Sequence, residues 1–499
     1  MKMKKIFLCS VSVLVFASCS NDRLNPNEHS STMDMDESIH FSSKISSRRP
    51  LTSRNAVPTI IIQNQYGQPV PNAQVLIGSA EGFPFKNNFK VSDKNGEIQN
   101  LNEWVTNEHI TADAPGFIRQ TLLSQDPGNI IIKLNRAALV TTSTISGQVT
   151  NLPVVDGDKN VDFGLVMAAM TRSDLLNFDL NSVMSPINDI MKVAGYEVPV
   201  PTNVSLPKQS ETYFLNLNNE KPEYRFFTPS TSPRRLYAAA GRFPFKQVVD
   251  ELRGGKPFYE VINYFEINGG GIRDVTPTNK VTKMDIPGNE LKFTQNISVA
   301  SPILNVDEVF VGISASEVSG FLIPTGIKNM KSNTTTALKS LANRPAFTVN
   351  IIKRQNEFMK STPGADRLSA SLLPYVANKK PNMLPLVNDP AVTQSNGYKV
   401  ALPNAPSAAG VFALGVNMVI SDIETSGTPE KPTTTLIRKW EVLGLKWPQQ
   451  IQMPNWPLAT KSKKRFEINY VGSLQDQNLD LGDALIKAAT HVTHSSADF

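Results

Sequence analysis

Tyr66-Gly67-Gln68-Pro69-Val70-Pro71-Asn72-Ala73-Gln74-Val75-Leu76-Ile77 and, fifteen positions further on, Ser92-Asp93-Lys94-Asn95-Gly96-Glu97-Ile98 decide how this chain is read. Each sets a turn against a short β-branched or apolar run. Gly67-Gln68-Pro69 breaks the chain after Thr59-Ile60-Ile61-Ile62, and Pro71-Asn72 breaks it again before Ala73 to Ile77. Asn95-Gly96 supplies the positive φ that a hairpin or bulged connection needs between Phe89-Lys90-Val91 and Glu97-Ile98. Further short runs follow at Ile110-Thr111-Ala112, Pro115-Gly116-Phe117-Ile118 and Ile130 to Leu134. Strands this short, punctuated this often, predict a small antiparallel β-sandwich over 57–136.

The order Tyr-Gly-Gln-Pro-Val-Pro-Asn-Ala-Gln-Val (66–75), Ser-Asp-Lys-Asn-Gly-Glu-Ile (92–98) and Ala-Pro-Gly-Phe-Ile (114–118) resembles carboxypeptidase regulatory-like domains. The resemblance covers about a sixth of the chain. It implies a transthyretin-like sandwich and a structural or binding accessory module, not peptidase activity. Asp93, Asn95 and Gly96 read as turn residues.

Beyond residue 140 no family is recognised, but the β reading continues. Runs at Ile145 to Val149, Val161 to Met167, Thr212 to Leu217, Arg235 to Ala239, Phe258 to Ile267, Lys292 to Val299, Val309 to Ile313, Phe347 to Ile352, Val411 to Ile420, Thr434 to Val442 and Phe466 to Val471 are separated by Pro and Gly. Helices are predicted only at Phe245 to Arg253, which ends in Gly254-Gly255, and at Leu481 to Ala489 behind Asp480. The polar run Lys331 to Thr336 marks a boundary, giving β-rich domains at 140–332 and 333–499. The fold class is mainly β: a small antiparallel sandwich followed by one or two larger sandwich-like domains with few helices.

The N-terminus carries an address. Lys2, Lys4 and Lys5 precede a short apolar stretch, Ile6 to Phe16, which ends at Ala17-Ser18-Cys19. This reads as a signal peptide over 1–18. Small residues followed by Cys resemble the lipobox of bacterial lipoproteins, in which the Cys is acylated, so Cys19 is the expected lipidation site. Phe16 stands where that family usually has Leu, which keeps ordinary cleavage and a secreted protein as the alternative. Ser20 is not the Asp that favours inner-membrane retention in enterobacterial lipoproteins, so the resemblance implies an outer membrane lipoprotein of the cell envelope, periplasmic or surface-exposed. Residues 19–56, rich in Ser, Asn, Asp and Arg, read as a flexible tether reaching roughly 30–35 Å.

Of 499 residues 50 are basic and 44 acidic, a formal charge of +6. Without the three signal Lys the count is 47 against 44, about +3, and no basic stripe follows. Arg48-Arg49, Arg234-Arg235 and the Lys461 to Arg465 run read as solvated turns or tether, and nucleic acid is not an expected partner. The expected partners are a membrane, through the lipid, and a protein or glycan ligand.

Two Cys, one in the signal and one at the lipid site, exclude disulfides and thiolate chemistry from the mature chain. The five His are His29, His40, His109, His491 and His494, so no imidazole is available between 110 and 490. That removes most Ser-His-Asp and zinc-hydrolase schemes. His491 and His494, three apart, would share a helical face but not a strand face, and Thr490 to Ser495 reads as a C-terminal tail.

Three patterns remain. Asp156-Gly157-Asp158-Lys159-Asn160-Val161-Asp162 resembles the start of a Ca²⁺-binding loop, with Asp156, Asp158, Asn160 and Asp162 as oxygen donors. Val161 stands where an EF-hand needs Gly and Met167 where it needs Glu, and a polar Asp-Gly turn is the alternative. Ca²⁺ is the one cofactor the sequence suggests. Trp456, bracketed by Pro454 and Pro457, reads as a loop aromatic that contacts a ligand or surface; Trp440 and Trp447, an odd number apart, favour core packing for at least one. Asn268-Gly269-Gly270-Gly271 reads as a flexible loop.

No catalytic residue is assigned. The non-catalytic reading is a lipid-anchored envelope protein with a structural, adhesive or ligand-binding role. The alternative is a secreted or envelope hydrolase acting on glycan or peptidoglycan through a carboxylate pair, with Asp307, Glu308, Glu317, Asp422 and Glu424 as undistinguished candidates.

Overall fold

The computed structural model describes residues 58–499 except 65–66, 79–88, 100, 138–142, 153–160, 170–183, 187–189, 194–195, 200–204, 208–212, 218–223, 229–233, 279, 359–366, 395–396, 429–430, 455, 457–462, 478, 480 and 482–487. The signal, the tether and Cys19 therefore lie outside the described residues, as does most of the helix expected at Leu481 to Ala489. The described chain is mainly β, as its short apolar runs predict.

The first module contains seven strands: β1 (Thr59–Asn64), β2 (Gln74–Ile77), β3 (Lys90–Val91), β4 (Glu97–Ile98), β5 (Glu108–Asp113), β6 (Arg119–Gln125) and β7 (Asn129–Leu134). β1 alternates between half-buried and buried positions, so Ile60 and Ile62 point inward, as a period of two requires. They meet Val75, Ile110, Leu122, Ile132 and Trp104 in one core between two sheets, β4-β1-β7 and β6-β5-β2-β3. β1 and β7 run parallel, with Ile60 opposite Ile130, so the sandwich is mixed where an antiparallel one was expected.

The turns explain the register. The Asp93 carboxylate accepts from the amides of Asn95 and Glu97, both at 2.8 Å, and Gly96 takes φ +75°. A Cβ on Gly96 would lie 2.3 Å from the Ile62 carbonyl oxygen, so only Gly fits there. Pro115-Gly116 forms a tight turn, with the Phe117 amide donating to the Ala114 carbonyl at 3.1 Å and Gly116 at φ +84°. The strand expected at 115–118 therefore starts later, at Arg119, because Pro-Gly suits the middle of a type II turn.

β6 does not end its sheet. It pairs in parallel with Lys431–Leu445, placing Trp440 opposite Arg119 and Leu443 opposite Leu122. From there a single sheet of twelve strands continues through Phe412–Thr428, Lys464–Ser473, His491–Asp498, Leu368–Pro374, Ala346–Arg354 and Glu308–Val318 to Phe321–Met330. Strands from 57–136, 140–332 and 333–499 are thus hydrogen-bonded neighbours in one sheet. A five-stranded sheet built on Val161–Ala168, Arg234–Phe243 and Glu266–Val275 docks onto its far end, where the buried Tyr237 hydroxyl donates to the Pro324 carbonyl at 2.6 Å.

Four local expectations change. The helix Phe245–Arg253 forms as read, but Phe258–Val261 is helical and Ile262–Tyr264 a tight 3₁₀ turn. Burial of Val261, Ile262 and Phe265 has a helical spacing that the apolar run concealed. Gly269, Gly270 and Gly271 lie inside the strand Glu266–Val275 instead of a flexible loop. They admit close neighbours: a Cβ on Gly271 would be 2.0 Å from the Pro287 carbonyl oxygen, and one on Gly270 would be 2.5 Å from that of Ala238. Thr490 to Ser495 is no tail, since His491–Asp498 is an interior strand paired on both edges. Finally, Lys464 and Arg465 are buried within a strand and ion-paired, where a solvated run was expected.

Candidate functional site

Trp456 is 7% exposed and belongs to an extensive apolar core, with Trp440, Ile420, Met418, Phe466 and Tyr470. The exposed ligand contact expected of it is therefore corrected. Its ring packs on Phe89, with centroids 4.8 Å apart, and the Arg119 guanidinium lies over it at 4.6 Å. The same guanidinium lies 4.7 Å from the Trp440 ring, so one cation serves two indoles. The Trp456 amide donates to the Pro454 carbonyl at 2.7 Å, a tight turn that leaves the ring facing inward, which proline spacing alone does not reveal.

Arg119 ties this cluster to the first module. It donates to Asp113 at 3.1 Å, and burial pulls its affinity for a proton below the usual guanidinium value while Asp113 opposes that effect. Trp440 Nε1 donates to the Thr121 hydroxyl at 2.9 Å, which shares a 2.8 Å hydrogen bond with Thr111. Asn135 Nδ2 donates to Glu441 at 3.2 Å. Polar and aromatic contacts thus follow the whole parallel pairing of β6 with Lys431–Leu445. Trp447, past the end of that strand, donates to the Gly415 and Val471 carbonyls at 3.0 and 2.9 Å.

Asp422, Asp307 and Glu308, three of the carboxylates considered for catalysis, have structural partners. Asp422 accepts from Lys464 Nζ at 2.7 Å, Asp307 faces Arg354 at 3.5 Å, and Glu308 caps the amide and side chain of Asn305 at 2.9 and 2.8 Å. Glu424 is exposed. None of the five lines the cavity described next.

That cavity, of about 180 Å³, opens between Gln295–Ala300, the ends of Ala346–Arg354 and Leu368–Pro374, and the segment 375–382. His491 and Asn350 lie at its base, almost wholly buried. His491 Nε2 faces the Asn382 carbonyl oxygen at 2.8 Å and must carry the proton, which leaves Nδ1 to accept from the Thr490 hydroxyl at 2.7 Å. Burial lowers its pKa to about 4, with the Asn382 hydrogen bond opposing, so the ring is neutral at neutral pH. Val376 and Leu474, 54% and 42% exposed, form apolar walls, and Lys379 and Lys380 stand exposed at the rim.

The segment 375–382 is held in place at several points. The Tyr375 hydroxyl accepts from the Ser298 amide at 3.0 Å, and the Tyr375 amide donates to Ala346 at 2.9 Å. Asn378 takes φ +57°, the Lys379 amide donates to Val376 at 3.2 Å, and Lys380 Nζ donates to Asn333 Oδ1. Sequence reading missed these residues. Lys379-Lys380-Pro381 resembles any solvated turn, and its partners lie tens to a hundred positions away.

The Ca²⁺ pattern falls mainly outside the described residues: Asp156, Asp158 and Asn160 do, as does the Asp162 side chain. Val161–Ala168 is a strand paired on both edges, so a twelve-residue EF-type loop running to Met167 does not form. Among the described residues no group of three or more His, Cys, Asp or Glu is placed to hold a metal. His494 Nδ1 faces Asn469 at 2.9 Å in a strand, apart from the His491 ring.

No family model and no curated protein matches the chain. Solved structures with partial likeness include the Bacillus anthracis TIE protein, at 10% identity over 65% of this chain and 49% of that one, with a TM-score of 0.13. Another is BcpA, the major pilin subunit of Bacillus cereus, at 12% identity over 66% and 94%, also with a TM-score of 0.13. The chain spans about half the length of the first of these. A TM-score of 0.13 lies below what shared topology requires, so nothing of their biology carries over to this chain.

Proposed function

We propose that the chain is a non-catalytic protein of the cell envelope, anchored by acylation of Cys19 and serving a structural, adhesive or ligand-binding role. The observation that supports this reading is the twelve-stranded sheet. It enrols the first module and the C-terminal half as hydrogen-bonded neighbours, with Arg119, Trp440 and Trp456 filling the seam. A module that shares a sheet with its body has no hinge there, and rigid elements suit a protein that presents a surface at a distance from a membrane. The lysines of the signal, the apolar stretch and Ala17-Ser18-Cys19 support the anchor, and the polar 19–56 segment supports a spacer.

The anchor is tested by growing cells with a radiolabelled fatty acid. The protein should take up label, and Cys19→Ala should abolish it; label that persists in the variant overturns lipidation. Fractionation of the same cells should place the wild-type chain with the outer membrane, and recovery from the medium alone would favour the secreted alternative.

A further inference from the structure

We propose that the cavity bounded by Val376, Leu474, Lys379 and Lys380 binds a small organic anion: a carboxylate carried on a compact apolar body, either a free branched-chain acid or the apolar C-terminal residue of a peptide. The inference deepens the ligand-binding part of the reading above and is independent of the anchor.

Volume sets the size. About 180 Å³ is somewhat more than the roughly 150 Å³ that accommodates a benzene-sized guest. Walls set the body. Val299, Leu373, Val376 and Leu474 line the cavity, and two of these are large apolar side chains left well exposed although the molecule has extensive cores to receive them. At the almost wholly buried base His491 spends both ring nitrogens on Asn382 and Thr490, and the unpartnered Asn350 Oδ1 is an acceptor that offers nothing to a carboxylate, so the head group belongs at the rim.

Charge sets the head group. The lining includes two lysines and no Asp or Glu. Lys380 is steered by Asn333, and the Lys379 ammonium makes no side-chain hydrogen bond or ion pair among the described residues. Both project from a segment fixed at Tyr375, Asn378 and Asn382, so the rim presents its cations without first having to order itself. A carboxylate at the rim with its hydrocarbon against Val376 and Leu474 satisfies both features at once, whereas a neutral apolar guest leaves the cations unused and a small inorganic anion leaves the walls wet.

The test is titration of the purified full chain, at low salt, with 4-methylpentanoate, N-acetyl-leucine and the neutral isostere 4-methylpentanamide, read by saturation-transfer NMR. Millimolar binding of at least one acid is expected, at least about fivefold tighter than the amide. The tighter of the two acids identifies the source, free acid or peptide end. The double variant Lys379→Gln/Lys380→Gln, whose folding is checked by its melting temperature because Lys380 also bonds Asn333, should lose that preference, and Leu474→Asp should lose binding altogether. Equal binding of acid and amide, undiminished preference in the lysine variant, or no saturation by either acid at about 20 mM overturns the proposal. None of these results bears on Cys19 labelling, so the two readings fail separately.

Discussion

The guanidinium of Arg119 lies 4.6 Å from the Trp456 ring, although 337 positions separate the two residues in the chain. With Trp440 at 4.7 Å and Asp113 at 3.1 Å, it joins strands from opposite ends of the sequence. Arg119→Ala removes the cation from both rings and leaves the Asp113 carboxylate facing a buried void. It should cost about 3 kcal/mol or more in urea unfolding. Arg119→Lys keeps the charge but loses the planar stack and should cost less, about 1–2 kcal/mol. Tryptophan emission is the natural probe, and a variant whose emission and midpoint are unchanged would contradict the seam.

Gly271 provides a second test, at the five-stranded sheet. Its absent Cβ is what allows the Pro287 carbonyl to approach. Gly271→Ala should displace that strand and cost several kcal/mol, about 3 or more, whereas the same change at Gly67, where a Cβ would meet nothing, should cost only about 1 kcal/mol for its positive φ. Thermal melts of the two variants compare close approach with backbone conformation directly.

Asp422 and Lys464 form a buried pair at 2.7 Å, with Lys439 at 3.9 Å as a more exposed neighbour. Asp422→Asn removes the negative charge 2.7 Å from the buried Lys464 ammonium and should destabilise by about 3 kcal/mol. Asp422→Leu combined with Lys464→Met should cost much less than the sum of the single changes, because isolating a buried charge costs more than replacing the pair. A double-mutant cycle in urea measures the difference, and strict additivity would rule out coupling.

His491 predicts a pH dependence. Its folded pKa, about 4, lies below the unfolded value of roughly 6.5, so the unfolded chain binds the proton first as pH falls. Stability from this group is complete above about pH 6.5 and is lost progressively toward pH 4, with about 2 kcal/mol gone at pH 5. His491→Gln, which keeps a donor for the Asn382 carbonyl, should flatten the stability profile between pH 7 and pH 5. A profile as steep as that of the wild type would show that another group titrates.

Much of the first module was legible because its signals are local. Asn95-Gly96 and Pro115-Gly116 mark turns that need no distant partner, and Ile60 and Ile62 alternate as a half-buried strand must. The helix at Phe245–Arg253 was legible for the same reason, with Gly255 at φ +86° just past its end. What was not legible depends on residues far apart in sequence. Nothing near Arg119 announces Trp440 and Trp456, and nothing near Gly269-Gly270-Gly271 announces the carbonyls of Ala238 and Pro287. Parity likewise says that His491 and His494 face opposite ways, but not that the strand carrying them is interior.

The place of His491–Asp498 between Leu368–Pro374 and Lys464–Ser473 has a consequence for the order of assembly. A chain made from its N-terminus exposes both flanking edges until these residues arrive, and β6 likewise waits for Lys431–Leu445. Contacts at such separation make folding slow and leave unpaired edges open to other chains in the meantime. Removing His491–Asp498 would therefore part the sheet between Leu368–Pro374 and Lys464–Ser473, adding two sticky borders to its outer edges.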